Sequence, residues 1–277
     1  MPFDLSHPRR VHVVAVGGAG MSAIATLLAE GGHTVTGSDQ VEGPNLAPLR
    51  TLGVSVHIGH SADHVGDAEV VLASSAVADD NPELAAAQRR GIPIMRRRGF
   101  LPSFARQQPF LSVAGTHGKT TTSSLLAVAL RGAGVDPSWL LGAPVPALGG
   151  AASLGRGSWM VLEADESDGS FLAGPRAGAV LTNAEADHLE FWGGWPQLEA
   201  AFMEFVSETD GPVVACAQDP GSLRIAEASS AVLYGTADHV PGGGRTPGYR
   251  MEDLSLGTSG SRFTLRCDHG GFPVELS

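Results

Sequence analysis

Residues 115–122 read Gly115-Thr116-His117-Gly118-Lys119-Thr120-Thr121-Thr122, between an apolar run from Phe110 to Ala114 and a stretch with Leu125, Leu126, Val128, Ala129 and Leu130 at helical spacing. Strand, glycine turn and helix in that order make a phosphate-binding loop. The glycines let backbone N–H groups turn toward an anion at the helix N-terminus, Lys119 reaches β- and γ-phosphates, and a hydroxyl such as that of Thr120 can ligate Mg²⁺. The spacing departs from the usual GxxxxGK[ST], since only Thr116 and His117 separate Gly115 from Gly118. Across 277 residues there are 17 arginines and one lysine, and that lysine is Lys119. Where a chain has otherwise moved to arginine, a retained lysine marks a position that needs a slim point charge rather than a planar fork.

Two acidic and polar clusters follow. Trp159 to Leu162 reads as a strand delivering Glu163-Ala164-Asp165-Glu166-Ser167-Asp168. Four carboxylates so close together repel one another unless cations are present, which makes this the strongest metal signal in the chain. Ala177 to Leu181 is another strand, ending in Thr182-Asn183-Ala184-Glu185-Ala186-Asp187-His188 at the same edge of the sheet. That position favours a metal role for His188 over a core or surface histidine.

The elements that must carry these groups form an α/β pattern. Val11 to Val16 reads as a buried parallel strand running into Gly17-Gly18-Ala19-Gly20-Met21-Ser22-Ala23, which fits GxGxxA from Gly18, with a helix following through Ile24, Leu27 and Leu28. A second strand, His33 to Ser38, ends at Asp39, about twenty residues past the glycines, where a dinucleotide fold puts its ribose-binding carboxylate. The stretch is either a nucleotide diphosphate site with Asp39 near a ribose or base, or a doubly wound turn without ligand. Strands at 54–58 and 69–73, a helix from Asn81-Pro82-Glu83 through Gln88, and a short strand Ile92-Pro93-Ile94 complete this domain. Ser74 and Ser75 stand at a strand's carboxyl end, where open sheets bind ligands, and could equally belong to a helix-capping loop. The run Arg96-Arg97-Arg98 is either a solvated face or the source of one arginine that steers an anion. Arg106-Gln107-Gln108-Pro109 reads as a hinge, giving domains at 1–107 and 108–277. Residues 142–157 are expected to be uninformative connections, 198–205 a helix, 212–216 a strand, 232–277 short β-like stretches, and Pro241–Gly248 a flexible tip.

Composition narrows the function classes. The net charge is −11, and there is no basic run beyond Arg96–Arg98, so a polyanion must be met locally by glycine loops and metal ions, and nucleic acid is excluded as a partner. Cys216 and Cys267 have no metal-ligand or redox spacing. With no signal peptide and no apolar run of membrane-spanning length, a reducing cytoplasm and no membrane insertion are expected.

The segments GGAGMSAIA at 17–25, GSD at 37–39, SSAV with DNPEL at 74–84, AGTHGKTTT at 114–122, EADESDGSF at 163–171 and TNAEADHLEF at 182–191 together resemble the Mur ligases, in family order and over essentially the whole chain. The short loop GTHGKT is this family's form of the phosphate loop. The resemblance implies a Rossmann-like parallel-sheet domain that binds a UDP-sugar, followed by a P-loop ATPase-type α/β domain. It implies an ATP- and Mg²⁺-dependent amide ligation in peptidoglycan precursor synthesis. The lactoyl carboxylate of UDP-N-acetylmuramate takes the γ-phosphoryl group of ATP, and the amine of L-alanine attacks the acyl phosphate. On this match Gly115, Thr116, His117, Gly118, Lys119, Thr120 and Thr121 bind ATP. Thr120 and Glu163 hold one Mg²⁺ and His188 a second, Asn183 lies beside the reacting phosphoryl group, and Glu166, Ser167 and Asp168 face the substrate. Gly18, Ala19, Gly20, Met21 and Ser22 cradle the UDP diphosphate, with Asp39, Ser74 and Ser75 lining the site.

The family pattern Arg-Ala-Glu is replaced here by Arg97-Arg98-Gly99, so no role is carried onto that glutamate position. The family's third domain has no counterpart before Ser277, so the central domain is expected to be incomplete and the chain inactive alone. Three rivals remain. A related ligase joins an intact peptide to the same UDP-sugar, although SSAV, DNPEL and ESD favour the alanine branch. An NAD-dependent oxidoreductase could use Gly18 to Asp39 but leaves Lys119, Glu163 and His188 without a purpose. A non-catalytic UDP-sugar-binding module would bind without turnover.

Overall fold

A computed structural model describes residues 3–105, 108–236, 247–258 and 260–276. Contacts divide the chain into two compact units, Met1–Leu111 with Thr120–Pro175, and Ser112–Lys119 with Arg176–Ser277. The division cuts the chain inside the phosphate loop, between Lys119 and Thr120.

The first unit opens with β1 (Arg10–Val14), α1 (Ala19–Glu30), β2 (Thr34–Asp39), α2 (Leu46–Thr51), β3 (Ser55–Ile58), β4 (Val70–Ala73), α3 (Pro82–Arg89), β5 (Ile94–Arg96) and α4 (Arg97–Ala105). The strands are paired in the order β3-β2-β1-β4-β5, all parallel. Parallel strands covered on both faces must be apolar throughout, and β1 and β4 are buried along almost their full length. The order reverses between β1 and β4, so the loops after these two strands, 15–18 and 74–81, flank the crevice where such sheets bind ligands. α1 buries Met21, Ile24, Leu27 and Leu28 in a core shared with Val11, Val13, Phe100 and Phe110. The expected strand at 92–94 forms two residues later, and the carbonyl of Pro93 accepts from Val71 N at its start.

β6 (Phe110–Ala114) leads through the loop to α5 (Lys119–Gly132), and the first unit continues with β7 (Ser138–Val145), β8 (Gly150–Ser153) and β9 (Met160–Glu163). β7 pairs parallel to β9 and antiparallel to β8, so the stretch 142–157 is not the featureless connection expected. Its strand signal is masked because Pro144 and Gly149 sit at an irregularity and at a left-handed turn (φ 83°), where they interrupt no ladder. On α5, Ala127 is buried whereas Leu125 and Val128 are exposed, so the apolar periodicity there overstates the buried face. Arg106 and Gln107 of the expected hinge lie outside the described residues. Gln108 is anchored, its amide donating to Gly155 O (3.1 Å) and Gly157 O (2.6 Å).

The second unit holds β10 (Arg176–Leu181), α6 (Leu189–Trp192), α7 (Trp195–Ser207), β11 (Val213–Cys216), α8 (Pro220–Glu227), β12 (Val232–Thr236), β13 (Tyr249–Gly257), β14 (Gly260–Cys267) and β15 (Gly270–Leu276). β10 to β13 are paired in succession as parallel strands and β13 to β15 as antiparallel ones. Residues 241–246 of the expected tip lie outside the described residues. Among the described residues no helix is long and apolar enough to cross a membrane.

Candidate functional site

In the second unit the strand end of β10 clamps the phosphate loop. Asn183 makes a two-way bridge, its Oδ1 accepting from His117 N (2.8 Å) and its Nδ2 donating to His117 O (2.9 Å). Thr182 Oγ1 donates to His117 O (2.7 Å), and Thr116 Oγ1 accepts from Glu185 N (2.9 Å). Gly115 has φ 136°, and a Cβ there would run into Thr182 Oγ1 and stand 2.9 Å from Asn183 O. Both conformation and space therefore require glycine. Lys119 Nζ is folded onto the loop, donating to Gly115 O (2.8 Å) and Thr116 O (3.2 Å). His117 and Gly118 are exposed at the loop's rim, so this backbone concavity is open to an anion. Thr121 is exposed on the first turn of α5.

In the first unit Thr120 Oγ1 donates to Glu163 Oε1 (2.8 Å), and Gly142 N donates to Oε2 (2.6 Å). A Cβ on Gly142 would come within 2.5 Å of that carboxylate, so close approach fixes glycine there. A hydroxyl and a carboxylate are hard oxygen donors of the kind that magnesium takes, and this pair fits such an ion. The rest of the acidic run does not converge. Asp165 Oδ1 accepts from Ser167 N (3.0 Å) and Asp168 Oδ1 from Ser170 N (2.9 Å), while Glu166 is buried. Repulsion is relieved by folding the strand end into turns whose N–H groups the aspartates cap. Among the described residues no three His, Cys, Asp or Glu side chains form a metal-holding group. In the second unit His188 precedes α6 with φ 50°, a left-handed conformation that costs a non-glycine residue roughly 1–3 kcal/mol, and its ring lies 3.9 Å from carboxylates of Asp187 and Glu190.

The β1–α1 loop is braced from below. Gly17 N donates to Asp39 Oδ2 (2.8 Å) and Asn45 Nδ2 donates to Gly17 O (2.8 Å), so the carboxylate at the end of β2 holds the glycine loop. Gly18, Ala19, Gly20, Met21, Ser74 and Ser75 line one small cleft together with Arg97 and Asp168. Ser74 Oγ accepts from Ala76 N (3.3 Å), which caps a turn, while the helix that follows is capped by Asn81. The arginine run divides its labour. Arg96 donates to Ser74 O, Val77 O and Asp79, which fixes the 74–79 loop, and Arg98 is exposed. The guanidinium of Arg97 lies against Gly20, where a Cβ would be 3.1 Å from Nη1, and among the described residues its buried Nε has no hydrogen-bond partner. A cation and the positive end of α1 facing one cleft is an arrangement that an anion relieves.

A polar cluster absent from the sequence reading stands behind this crevice. Glu83, fully buried on the first turn of α3, accepts from Ser38 Oγ at Oε2 (2.6 Å) and from the Nδ1 atoms of His60 (2.9 Å) and His64 (3.1 Å), with His12 Nε2 3.6 Å away. Burial pushes the Glu83 carboxyl up, but hydrogen bonds from Ser38 and His60 and the attraction of the His12 ring 3.6 Å away outweigh it and bring the group down to about 2. A folded-state value below the unfolded 4.5 means that this stabilisation is present above pH 4.5 and is lost as pH falls through about 2. The loss is of the order of 3 kcal/mol. Urea-unfolding midpoints between pH 7 and 2 check this: the gap between the wild type and Glu83→Gln should close across that window, and a constant gap would refute it.

Comparison with known proteins decides the family. The description "Mur ligase family, catalytic domain" matches residues 10–109, and "Mur ligase middle domain" matches residues 113–277. The chain belongs to the Mur ligase family. Among curated Mur ligases, the UDP-N-acetylmuramate--L-alanine ligase of Arthrobacter sp. (strain FB24) is 43% identical over 271 residues, 92% of this chain and 56% of the relative. That of Acidiphilium cryptum (strain JF-5) is 47% identical over 227 residues, 81% of this chain and 47% of the relative. The crystal structure of UDP-N-acetylmuramate-alanine ligase MurC from Thermotoga maritima superposes with a TM-score of 0.84 at 29% identity, covering 97% of this chain and 60% of that one. The chain thus spans about half the length of the curated Mur ligases it matches.

Proposed function

We propose that this chain is the UDP-sugar- and ATP-binding part of an ATP-dependent ligase that joins L-alanine to the lactoyl carboxylate of UDP-N-acetylmuramate. The observation that carries the reading is the bond between Thr120 and Glu163, which joins the phosphate loop's hydroxyl to the acidic strand end 43 residues away. The names of relatives 43% and 47% identical support L-alanine as the amine. The domains run over 1–107 and 108–277, and a nucleotide-activated sugar and ATP as substrates fit the cytoplasm.

The reaction needs a carboxylate oxygen to become a leaving group. The lactoyl oxygen attacks the γ-phosphorus, ADP departs, and the amine then adds to the acyl carbon and expels phosphate. Two anions must meet first, so positioning and charge compensation supply most of the acceleration. Lys119 exchanges its two loop carbonyls for β- and γ-phosphate oxygens, the stronger acceptors, and the N–H groups from Gly115 to Thr121 close around them. Asn183, which braces His117, holds that concavity in register beside the reacting phosphoryl group. Thr120 and Glu163 would hold one Mg²⁺ and His188 a second, which screen the charge of phosphates and carboxylate. Gly18, Ala19, Gly20, Met21 and Ser22 cradle the UDP diphosphate, with Arg97 as its counter-charge and Asp39, Ser74 and Ser75 shaping the surround.

Calorimetric titration with UDP-N-acetylmuramate and, separately, with Mg-ATP tests the reading. Saturable binding of each is expected, with ATP binding lost on chelation of the magnesium. A folded chain that bound neither would sink it, and binding of NADH in place of ATP would favour an oxidoreductase.

A further inference from the structure

The nucleotide crevice of the first unit has a second cleft, of about 630 Å³, between the ends of β1 and β2 and the start of α3. Asp39, His60 and Asn81 are among the residues in its wall. His60 is the one member of the Glu83 cluster that also faces this space. Its Nδ1 lies 2.9 Å from Glu83 Oε2 and 3.0 Å from Ser38 Oγ, and among the described residues its Nε2 has no hydrogen-bond partner. A carboxylate is acceptor-only, so the proton of the Nδ1–Oε2 bond must sit on Nδ1. A neutral ring protonated there carries a bare lone pair on Nε2. Ser38 spends its own proton on the same Glu83 oxygen at 2.6 Å, so the hydroxyl is not a competing donor to the ring. Asn81, whose Oδ1 accepts from the N–H groups of Glu83 and Leu84, fixes the first turn of α3 and with it the carboxylate.

We propose that Glu83 is a positioning residue of the nucleotide site: by holding the Nδ1 proton of His60 it presents Nε2 to the cleft as an acceptor for one hydrogen-bond donor of the bound nucleotide. The inference rests on the reading of this crevice as a UDP site. Two ligand groups share the required chemistry, a ribose hydroxyl and the imide N–H of the base. Glu83→Gln keeps the shape of the side chain but can turn its amide N–H₂ toward Nδ1, which moves the ring proton to Nε2 and sets donor against donor.

The test is calorimetric titration of wild type and Glu83→Gln with UDP, 2′-deoxy-UDP, 3′-deoxy-UDP and N3-methyl-UDP. Glu83→Gln should weaken UDP about tenfold, and that penalty should vanish for the one analogue lacking the donor, which also identifies it. A penalty equal for all four ligands, or none for UDP, overturns the proposal, because a purely structural loss does not depend on which ligand group is removed. If the wild type itself fails to bind UDP, the reading of the crevice falls and the proposal with it. Should Glu83→Gln not fold, His60→Gln and His60→Asn carry the test. Gln can place its amide oxygen where Nε2 lies and should bind UDP within about threefold of wild type, whereas Asn falls short and should lose about tenfold. Equal losses in the two variants overturn the assignment.

Discussion

Lys119→Ala is expected to lower affinity for Mg-ATP by about a hundredfold or more while leaving UDP-N-acetylmuramate binding within a factor of about two. The side chain is the only lysine, and its ammonium is held by two loop carbonyls at 2.8 and 3.2 Å. Each charge-assisted bond to phosphate is worth roughly 1.5–3 kcal/mol, so losing two removes at least about 3 kcal/mol. Lys119→Arg should recover little of this, since a planar fork does not fit where a compact ammonium is curled onto its own loop. Paired titrations with the two ligands check both statements. ATP binding that survived alanine within a few-fold would mean that the loop does not hold the triphosphate.

The second large effect is on the loop's shape. Gly115→Ala should cost roughly 3 kcal/mol or more, because φ 136° is closed to alanine and the new methyl collides with Thr182 Oγ1 and the backbone of Asn183. A fall of roughly 6–12 °C in Tm is expected, with ATP binding lost at temperatures where the protein is still folded. Thr182→Ala in the same chain should restore only part of it, since Asn183 O still stands 2.9 Å from the added carbon. A variant as stable as wild type and fully able to bind ATP would show that the loop relaxes freely, contrary to the clamp described.

What could be read from the sequence was whatever follows from local pattern. The glycine loops, the strand ends carrying Glu163 and Asn183, and the helix opened by Asn81-Pro82-Glu83 depend on residues close together in the chain, and all form where expected, with Asn81 as the helix's cap and Pro82 its first residue. The parallel order β3-β2-β1-β4-β5 is what alternating strands and helices require. The strands that enter 142–157 are not legible in the sequence, because their glycines and prolines read as breakers until the pairing of β7 with β8 is known. Glu83 and its histidines were missed for a different reason. His12, Ser38, His60 and Glu83 are far apart in the chain, and no periodicity announces that four polar groups will share one buried point. Of the acidic run only Glu163 meets Thr120, whereas the turns send Asp165 and Asp168 to separate N–H groups, a divergence that adjacency in sequence does not reveal.

The curled lysine has a consequence for chemical labelling. Because the sequence contains a single ε-amine, an acylating reagent that captures side-chain amines has one address in the chain, and it lies inside the loop that Asn183 and Thr182 brace. Acylation there removes a charge and disturbs both bonds to Gly115 and Thr116 in one event, so labelling located at Lys119, once separated from that of the chain's α-amine, counts altered loops one for one.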